Sequence, residues 1–457
     1  MITDPTSIRP ERLLDRASRT RISTSESRRP LIASGARHIV RALLERMESD
    51  QLSIDERIVN RADQTTSFGP GIEGTRAPAM AARLTVHDHR AYTAVVREGA
   101  IGFGRGYIEG WWTSDDPVAV VQVIVRNMAP IDNARNRLHS LTGWATDRVR
   151  SWLPRHTRDR NREDISAHYD IGNEFFALFL DDTMTYSSGV FPHPGASLRE
   201  ASLHKYDVLL AKLGVDSSHR LLEIGTGWGG LALRAVETIG CDVTTTTISS
   251  EQLREARLRV DAAGQHDRIT LLETDWRDLT GEYDRLISIE MIEAVDWRDY
   301  DAFFSRIEAR LEPTGLAGLQ AICLPDHRYQ RAKNTEDFIR RFVFPNGFLP
   351  SVGAITKSVS RSTHMQIVDV EDISAHYAET LRRWRNQFDD RLDEVKRLGL
   401  DDRFCRLWRF YLAYCEAGFR ERHCTAIQIV LAGASWRGRL GAEAVSNGLH
   451  PIPALAP

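Results

Sequence analysis

Residues 221–232 read LLEIGTGWGGLA, and this stretch decides the fold of the chain. An apolar run with an acid, Glu223, is followed by four glycines within six positions and then by a helix-like pattern. Glycines permit a tight turn after a buried strand and a close approach of backbone to ligand, and a helix N-terminus offers free N–H groups. Because the spacing lacks the third glycine of the dinucleotide fingerprint, it favours S-adenosylmethionine. A glycine-rich turn without a ligand is the alternative.

The segments after this loop alternate between strand and helix patterns. Residues 242–249 form a β-branched run, residues 251–260 suit a helix, and 269–272 and 283–289 suit two further strands. Such alternation predicts an α/β fold, a doubly wound parallel sheet with ligands at the carboxyl ends of its strands.

Four motifs in order along the chain resemble the cyclopropane fatty acid synthase family of S-adenosylmethionine-dependent enzymes. Besides the glycine loop they are HYDIGNEFFALFLDDTMTYSSGVF at 168–191, TTISSEQ at 246–252 and FVFPNGFLPS at 342–351. The helical stretch 410–431 agrees with them, and the resemblance runs from about residue 72 to 440. It implies a Rossmann-like class I methyltransferase, closest to the actinobacterial branch that makes 10-methylene and 10-methyl fatty acids.

The length of 457 residues exceeds the prior of about 150 residues for one domain, and four regions are expected. Residues 1–35 suit a disordered tail, followed by a predicted helix over 37–48. Residues 36–134 resemble a smaller N-terminal α+β lipid-associated domain, whose GFGRGYIEGWW segment would receive an acyl chain or supply ordinary core tryptophans. Residues 135–164 suit an arginine-rich linker helix, and 165–457 the methyltransferase domain with acyl-chain pocket insertions.

The arginine-rich segment suggests a membrane partner. Eight arginines lie between Arg135 and Arg162, interleaved with leucine, valine and tryptophan. Each basic residue beside an anionic lipid surface contributes about 1 kcal/mol, although a solvated linker helix would look the same. A pI of 6.6 and the lack of nucleic-acid-binding motifs argue against nucleic acid.

The remaining composition bears on location. The chain has no apolar run long enough to span a bilayer and no secretory signal, and its five cysteines contain no C-x-x-C pair. We expect a cytoplasmic protein without a metal site, peripherally associated with the inner face of the membrane, and a homo-oligomer.

The family chemistry needs a base. An alkene attacks a sulfonium methyl only in a dry, aligned site, and the cation formed must then lose a proton. In cyclopropane synthases a bound bicarbonate removes it. The resemblance places the bicarbonate ligands at Ser188, Glu293, Gln320 and Tyr377, with the backbone of Ile322. Serine and glutamine replace the usual cysteine and histidine, and glutamine carries no positive charge, which puts bicarbonate binding in doubt.

A protein carboxylate is therefore a candidate base. The sequence offers Glu174 and Glu293, although Glu174 equally suits an acid at a helix N-terminus. His168 would shape the reaction pocket or simply pack. With such a base we expect a 10-methylene acyl chain, the precursor of 10-methylstearate after a separate reductase. A cyclopropane ring on the same unsaturated phospholipid acyl chain is the alternative product.

The resemblance also assigns the residues that contact S-adenosylmethionine. They are Tyr186, Ser187, Glu223, Gly225, Gly227, Trp228, Thr247, Gln252, Asp275 and Trp276. Two hypotheses of other kinds stay open: a methyltransferase for small hydroxyl or amine acceptors, and an inactive lipid-binding protein.

Overall fold

The computed structural model describes residues 29–59, 62–70, 80–129, 131 and 171–438. The predictions for residues 1–28, for the arginine-rich segment 135–164 and for His168 lie outside these ranges. Helix α1 spans Arg29–Leu44. It begins earlier than predicted, so residues 29–35, which were expected to belong to the disordered tail, are helical. Pro30 stands in its first turn, where proline costs no hydrogen bond. It also ends earlier than residue 48, in a turn.

The N-terminal region is a small α+β unit, as predicted. Its four-stranded sheet has the order β2-β1-β3-β4, with β1 and β3 parallel. The strands are β1 Gln51–Glu56, β2 Gln64–Phe68, β3 Ala81–Val86 and β4 Trp112–Thr113. The helices after α1 are α2 Arg90–Glu98, α3 Ala100–Ile108 and α4 Pro117–Arg126.

The glycines of α3 explain its packing. A Cβ at Gly102 would lie 2.0 Å from the carbonyl oxygen of Ala94, so only glycine lets α3 pack this closely against α2. Trp112 is buried, stacks on Phe103 at 4.3 Å between ring centroids and donates its indole N–H to the Phe103 carbonyl at 2.8 Å. Trp112 is thus part of the core of this unit, and it also borders the cavity described below, so both interpretations of this segment stay open.

The larger unit contains a seven-stranded sheet of order β10-β11-β9-β8-β5-β6-β7. The five strands from β5 to β9 are parallel to their neighbours, whereas β11 runs antiparallel to β9 and β10. The strands are β5 Arg220–Ile224, β6 Asp242–Thr246, β7 Ile269–Leu272, β8 Tyr283–Ile289, β9 Leu311–Cys323, β10 Gln366–Asp372 and β11 Thr425–Ala432. This is the doubly wound, mostly parallel sheet that the sequence predicts.

Helices surround this sheet. They are α5 Asn173–Phe176, α6 Leu198–Lys212, α7 Gly230–Ile239, α8 Ser250–Ala262, α9 Tyr300–Arg310, α10 Asp326–Ala332, α11 Phe338–Phe342, α12 Val352–Ser362, α13 Ser374–Asp390, α14 Leu392–Arg397 and α15 Asp402–Arg420. No helix within the described ranges is long and apolar enough to cross a membrane.

Helix α15 joins the two units. The ring of Phe410 lies edge-on to Trp112, with 5.8 Å between centroids. Arg403 donates to the Glu109 carboxylate at 2.9 Å, and Arg406 donates to the carbonyl of Ile108 at 2.7 Å. Aromatic packing bordered by ion pairs therefore attaches the N-terminal unit to the larger one.

Candidate active site

The glycine loop leaves β5 at the carboxyl edge of the sheet. Gly225, Gly227 and Gly229 have φ values of 107°, 52° and 86°, which only glycine adopts readily. The N–H groups of Gly225 and Thr226 donate to the carbonyl of Thr246, each at 3.0 Å, and tie the loop to β6. A Cβ at Gly227 would meet no protein atom within 4 Å. The loop therefore presents open space beside its backbone.

A cavity of about 2220 Å³ begins at this loop and extends into the N-terminal unit. It exceeds the roughly 300–1,000 Å³ of an ordinary ligand pocket. Beside the loop its wall is polar, whereas in the N-terminal unit it includes Ile39, Leu43, Leu52 and Ile124. The cavity thus combines a polar end with a long apolar extension.

Glu223 gives the polar end a buried carboxyl group, and one of its oxygens has no hydrogen-bond partner among the described residues. The side chain lines the cavity and is 4% exposed. Its Oε2 atom is buried without a hydrogen bond among the described residues. Burial raises the pKa of Glu223 to about 8. A positively charged ligand would favour the ionised form of this carboxyl group and satisfy its free oxygen, and S-adenosylmethionine carries positive charge at its sulfonium and amino groups.

Two further pairs of predicted residues line the same end. Thr247 donates to the Oε1 atom of Gln252 at 3.1 Å, which fixes the glutamine side chain in the cavity wall. Asp275 accepts two bonds from the Arg277 guanidinium, each at 3.1 Å. Trp276 packs edge-on against Phe303 at 5.2 Å. Asp275 and Trp276 line the cavity, and each also has a structural contact.

The entry motif supplies a third group of cavity residues. The Tyr186 hydroxyl lies 3.0 Å from that of Tyr411, and the Trp228 indole N–H donates to Asn173 at 2.7 Å. Ser187 accepts a hydrogen bond from the Lys205 ammonium at 2.6 Å. These contacts bring Tyr186, Ser187 and Trp228 to the wall beside the glycine loop.

Lys205 is a further residue of this site, and no sequence motif marks it. It is fully buried, and burial lowers its pKa to about 8 although Glu290, Asp181 and Glu223 oppose that shift. A buried ammonium beside buried carboxylates offsets part of their charge. Only the tertiary structure identifies it, because a lysine inside a helical pattern normally indicates a solvated face.

Glu290 is the second residue that the sequence analysis did not assign. It directly follows β8, neighbours the glycine loop across the sheet and lines the cavity. Its Oε1 atom accepts the Ser188 backbone N–H at 2.9 Å and the Gln320 amide at 2.8 Å. Its Oε2 atom accepts the Tyr377 hydroxyl at 2.7 Å. Three of the positions expected to hold bicarbonate therefore hold the Glu290 carboxylate.

The side chains of Ser188 and Gln320 stand behind this carboxylate. Ser188 donates its hydroxyl to the carbonyl of Gly189 at 2.9 Å, so its backbone, not its side chain, contacts Glu290. Gln320 is 1% exposed and accepts a bond from Gln428 at 3.2 Å. Neither is part of the cavity wall, whereas Glu290 and Tyr377 are.

Glu293 lies next to this cluster and also faces the cavity. Its Oε1 atom accepts the Ile322 backbone N–H at 2.6 Å, and Oε2 is buried without a partner among the described residues. Burial and then the charge of Glu290 raise the pKa of Glu293 to about 8. Of these two neighbouring carboxyl groups, Glu290 accepts three hydrogen bonds and Glu293 accepts one, so the donors favour ionisation of Glu290.

The structure separates Glu174 from this site. Glu174 is exposed in the first turn of the short helix α5 and is not part of the cavity wall. A general base must come within hydrogen-bonding reach of the proton that it takes. Glu174 therefore does not suit the role of base that the sequence allowed, and it fits the alternative interpretation of a helix N-terminal acid.

The glycine loop, the unsatisfied Glu223 and the long cavity define a class of protein, the S-adenosylmethionine-dependent methyltransferases. The family model for mycolic acid cyclopropane synthetase matches residues 156–429. The chain belongs to this family, as the resemblance implied.

Individual relatives agree with this assignment. The chain is similar to tuberculostearic acid methyltransferase UfaA1 of Mycobacterium tuberculosis, with 40% identity over 79% of this chain and 84% of the relative. It is 30% identical to the cyclopropane-fatty-acyl-phospholipid synthase of Escherichia coli, over 80% of this chain and 90% of the relative. Mycolic acid cyclopropane synthase CmaA1 complexed with SAH and CTAB superposes with a TM-score of 0.56 and 28% identity, over 61% of this chain and 99% of that one.

Proposed function

We propose that this enzyme transfers the methyl group of S-adenosylmethionine to the double bond of an unsaturated fatty acyl chain in membrane phospholipid. The product is a 10-methylene acyl chain, the precursor of 10-methylstearate. The observation that carries this proposal is the cavity, which begins at the glycine loop and continues between apolar residues of the N-terminal unit. The similarity to UfaA1, a tuberculostearic acid methyltransferase, supports the same substrate class.

The cofactor end of the cavity suits S-adenosylmethionine residue by residue. Glu223 would hold its positive charge, Tyr186, Ser187, Gly225, Gly227 and Trp228 its methionine part, Thr247 and Gln252 its ribose, and Asp275 and Trp276 its adenine. When bound, it supplies an electrophilic methyl group.

The chain's own residues shield and hold the acceptor. Tyr186 packs against Trp384, with 5.3 Å between centroids, and Tyr377 stacks on Phe419 at 4.4 Å. Aromatic faces attract positive charge without reacting with it, which suits a site where a carbocation forms and water must be excluded. A small polar acceptor would leave the apolar extension of the cavity unused.

The residues at the expected bicarbonate positions, which we call the cage, differ from those of cyclopropane synthases. This difference supports the methylene product over the cyclopropane alternative. Gln320 stands where cyclopropane synthases carry a histidine, and Ser188 where they carry a cysteine. Ring closure and methylene formation both remove a proton from the new methyl, but the second follows a hydride shift. The two products have equal mass and differ in their proton signals.

The test uses vesicles of oleoyl phospholipid and labelled S-adenosylmethionine. Mass spectrometry of the extracted chains should show the addition of one methylene unit, and NMR should show vinyl protons. Upfield ring protons alone would establish the cyclopropane product. Oleoyl groups on an acyl carrier and soluble hydroxyl or amine acceptors serve as controls, and methylation of those alone would reject the lipid proposal. No transfer to any acceptor would favour the inactive lipid-binding protein.

The membrane association and cytoplasmic location are part of the same proposal. Replacing Arg148, Arg150, Arg155 and Arg158 by glutamine should weaken binding to anionic vesicles and reduce its dependence on salt. A control variant carries four equivalent changes at exposed arginines of the larger unit, namely Arg220, Arg254, Arg268 and Arg361. Equal co-sedimentation of both variants would assign segment 135–164 to an ordinary linker.

Two partners complete the proposal. The methylene product requires a separate reductase to become a methyl-branched chain, and the enzyme acts as a homo-oligomer. Conversion of extracted methylene lipid by a reductant-dependent enzyme tests the need for a reductase. Light scattering of the purified protein tests the oligomeric state.

A further inference from the structure

The carboxylate of Glu290 is presented as a bound anion would be. It accepts a backbone N–H from Ser188, an amide N–H from Gln320 and a phenolic O–H from Tyr377. These three groups come from three separate parts of the chain and converge on one side chain. Hydrogen-bond donors that converge on an oxyanion stabilise its ionised form.

The position of Glu290 also directs it toward the reacting end of the cavity. Strand β8 pairs with β5 in parallel, so Glu290 and Gly225 lie at the same carboxyl edge on neighbouring strands. A Cβ at Gly225 would lie 3.6 Å from Met291, the residue after Glu290. Oε2 accepts one hydrogen bond, from Tyr377, which leaves a lone pair for a proton from substrate.

The backbone at Glu290 is held in an uncommon conformation. Its φ is 49°, and only Met184 and Arg422 share a positive φ among the described residues other than glycine. Such conformations are strained and persist where the surrounding structure fixes them, often at functional sites. Here the strain coincides with a side chain placed between the cavity and Gln320.

We infer that Glu290 is the built-in general base of this enzyme and takes the place of bicarbonate. This inference rests on the proposed function. The cage suits bicarbonate less well than it suits Glu290. The donors of Ser188, Gln320 and Tyr377 already bind Glu290, and the Ile322 N–H binds Glu293.

The step balances without another reactant. The π electrons of the acyl double bond form a C–C bond to the methyl group as the methyl–sulfur bond breaks, which leaves S-adenosylhomocysteine and a cation on the acyl chain. A hydride moves from the methylated carbon to the neighbouring cationic carbon. Glu290 then takes a proton from the new methyl, and the C–H electron pair becomes the double bond of the methylene branch. Glu290 later releases this proton to water.

Glu290 suits this role better than Glu293. Burial raises the pKa of Glu290 above that of an ordinary carboxyl, while Lys205, Tyr377 and Gln320 favour its ionised form. Glu293 has fewer donors and meets the charge of Glu290 when it ionises. Of two neighbouring buried carboxyls, the better hydrogen-bonded one ionises first and serves as base.

The test compares Glu290→Gln, Glu290→Gly and Glu293→Gln. Glutamine keeps the shape of the side chain but cannot take the proton, and glycine suits the positive φ while it vacates the cage. Loss of a general base costs about 10²- to 10⁴-fold in turnover. We expect a loss of at least about 100-fold in Glu290→Gln and one at least about tenfold smaller in Glu293→Gln. Calorimetric S-adenosylmethionine affinity should stay within about threefold of wild type.

Chemical rescue separates a base from a structural residue. Bicarbonate, formate or acetate should restore turnover to Glu290→Gly in a concentration-dependent way and leave the wild type and Glu290→Gln unchanged. Wild-type turnover that needs added bicarbonate, or full turnover by Glu290→Gln, would overturn the inference. Absence of methylated lipid with the wild type would instead reject the proposed function.

Discussion

The polar part of the cavity has two sides that are built in different ways. We call them the cofactor end, beside the glycine loop, and the base end, around Glu290. The cofactor end comes from short contiguous segments, chiefly the glycine loop and residues 246–252, whose backbone conformations are local. The base end joins Ser188, Glu290, Gln320 and Tyr377, which are far apart in sequence. The comparison teaches that a ligand-binding loop is encoded locally, whereas a cage for an anion depends on the whole sheet.

The largest effect should come from the cofactor end. Gly227→Val places a side chain in the open space beside the loop, and we expect it to abolish measurable S-adenosylmethionine binding in calorimetry. Gly214→Val is the matched control, because Gly214 has a φ of 53°, an equally open Cβ position and no place in the cavity wall. Both variants carry the same backbone strain, so equal affinity in the two would refute the assignment of the loop.

The next effect belongs to the base end. Tyr377→Phe removes the hydroxyl that donates to Glu290, while the ring still stacks on Phe419. A hydrogen bond to a charged group contributes about 1.5–3 kcal/mol, so we expect turnover to fall about 10- to 100-fold. The acidic limb of the pH–rate profile should also move to higher pH, because ionised Glu290 loses a donor. A lower turnover with an unshifted profile would make Tyr377 a packing residue.

A smaller effect concerns stability and pH. The pKa values of Glu223 and Glu293 are raised in the folded protein to about 8. Between their unfolded pKa and pH 8 the folded state therefore binds more protons than the unfolded state, and stability should fall as pH rises. Each group contributes at most about 1.4 kcal/mol per pH unit. Lys205, whose pKa is lowered to about 8, acts in the opposite direction above pH 8.

Unfolding free energies of the free protein measured between pH 5 and 8 test this slope. Glu223→Gln should make it shallower and raise stability at pH 8. Glu251→Gln, at a partly exposed glutamate on α8, serves as control and should leave the slope unchanged. A slope that is the same in wild type and Glu223→Gln would show that Glu223 is ionised in the folded protein.

The smallest effect should come from Ser188→Ala. The hydroxyl contacts only the Gly189 carbonyl among the bonds described, and the backbone N–H that serves Glu290 remains. We expect a stability loss of about 1 kcal/mol in chemical denaturation and a turnover that falls by a much smaller factor than in Tyr377→Phe. A loss as large as that of Tyr377→Phe would mean that the serine side chain acts in the cage.

Much of the fold was predictable from sequence, since strands β5 to β8 follow apolar and β-branched patterns with clear turn signals. The family motifs further indicated the cofactor residues and placed Tyr377 and Gln320 near Glu293. Glu290 was missed because two acids three residues apart after a strand look equivalent in sequence. Only the positive φ of Glu290 and the register of β8 with β9 decide which of the two meets Gln320.

That same backbone angle has a genetic consequence. A glycine would adopt a φ of 49° more readily than the glutamate at position 290. Glutamate and glycine codons differ at a single base, so one nucleotide substitution separates a chain that carries this carboxylate from one that leaves its place vacant. A single mutation could thus exchange a base that belongs to the protein for a diffusible ion, without any rearrangement of the sheet.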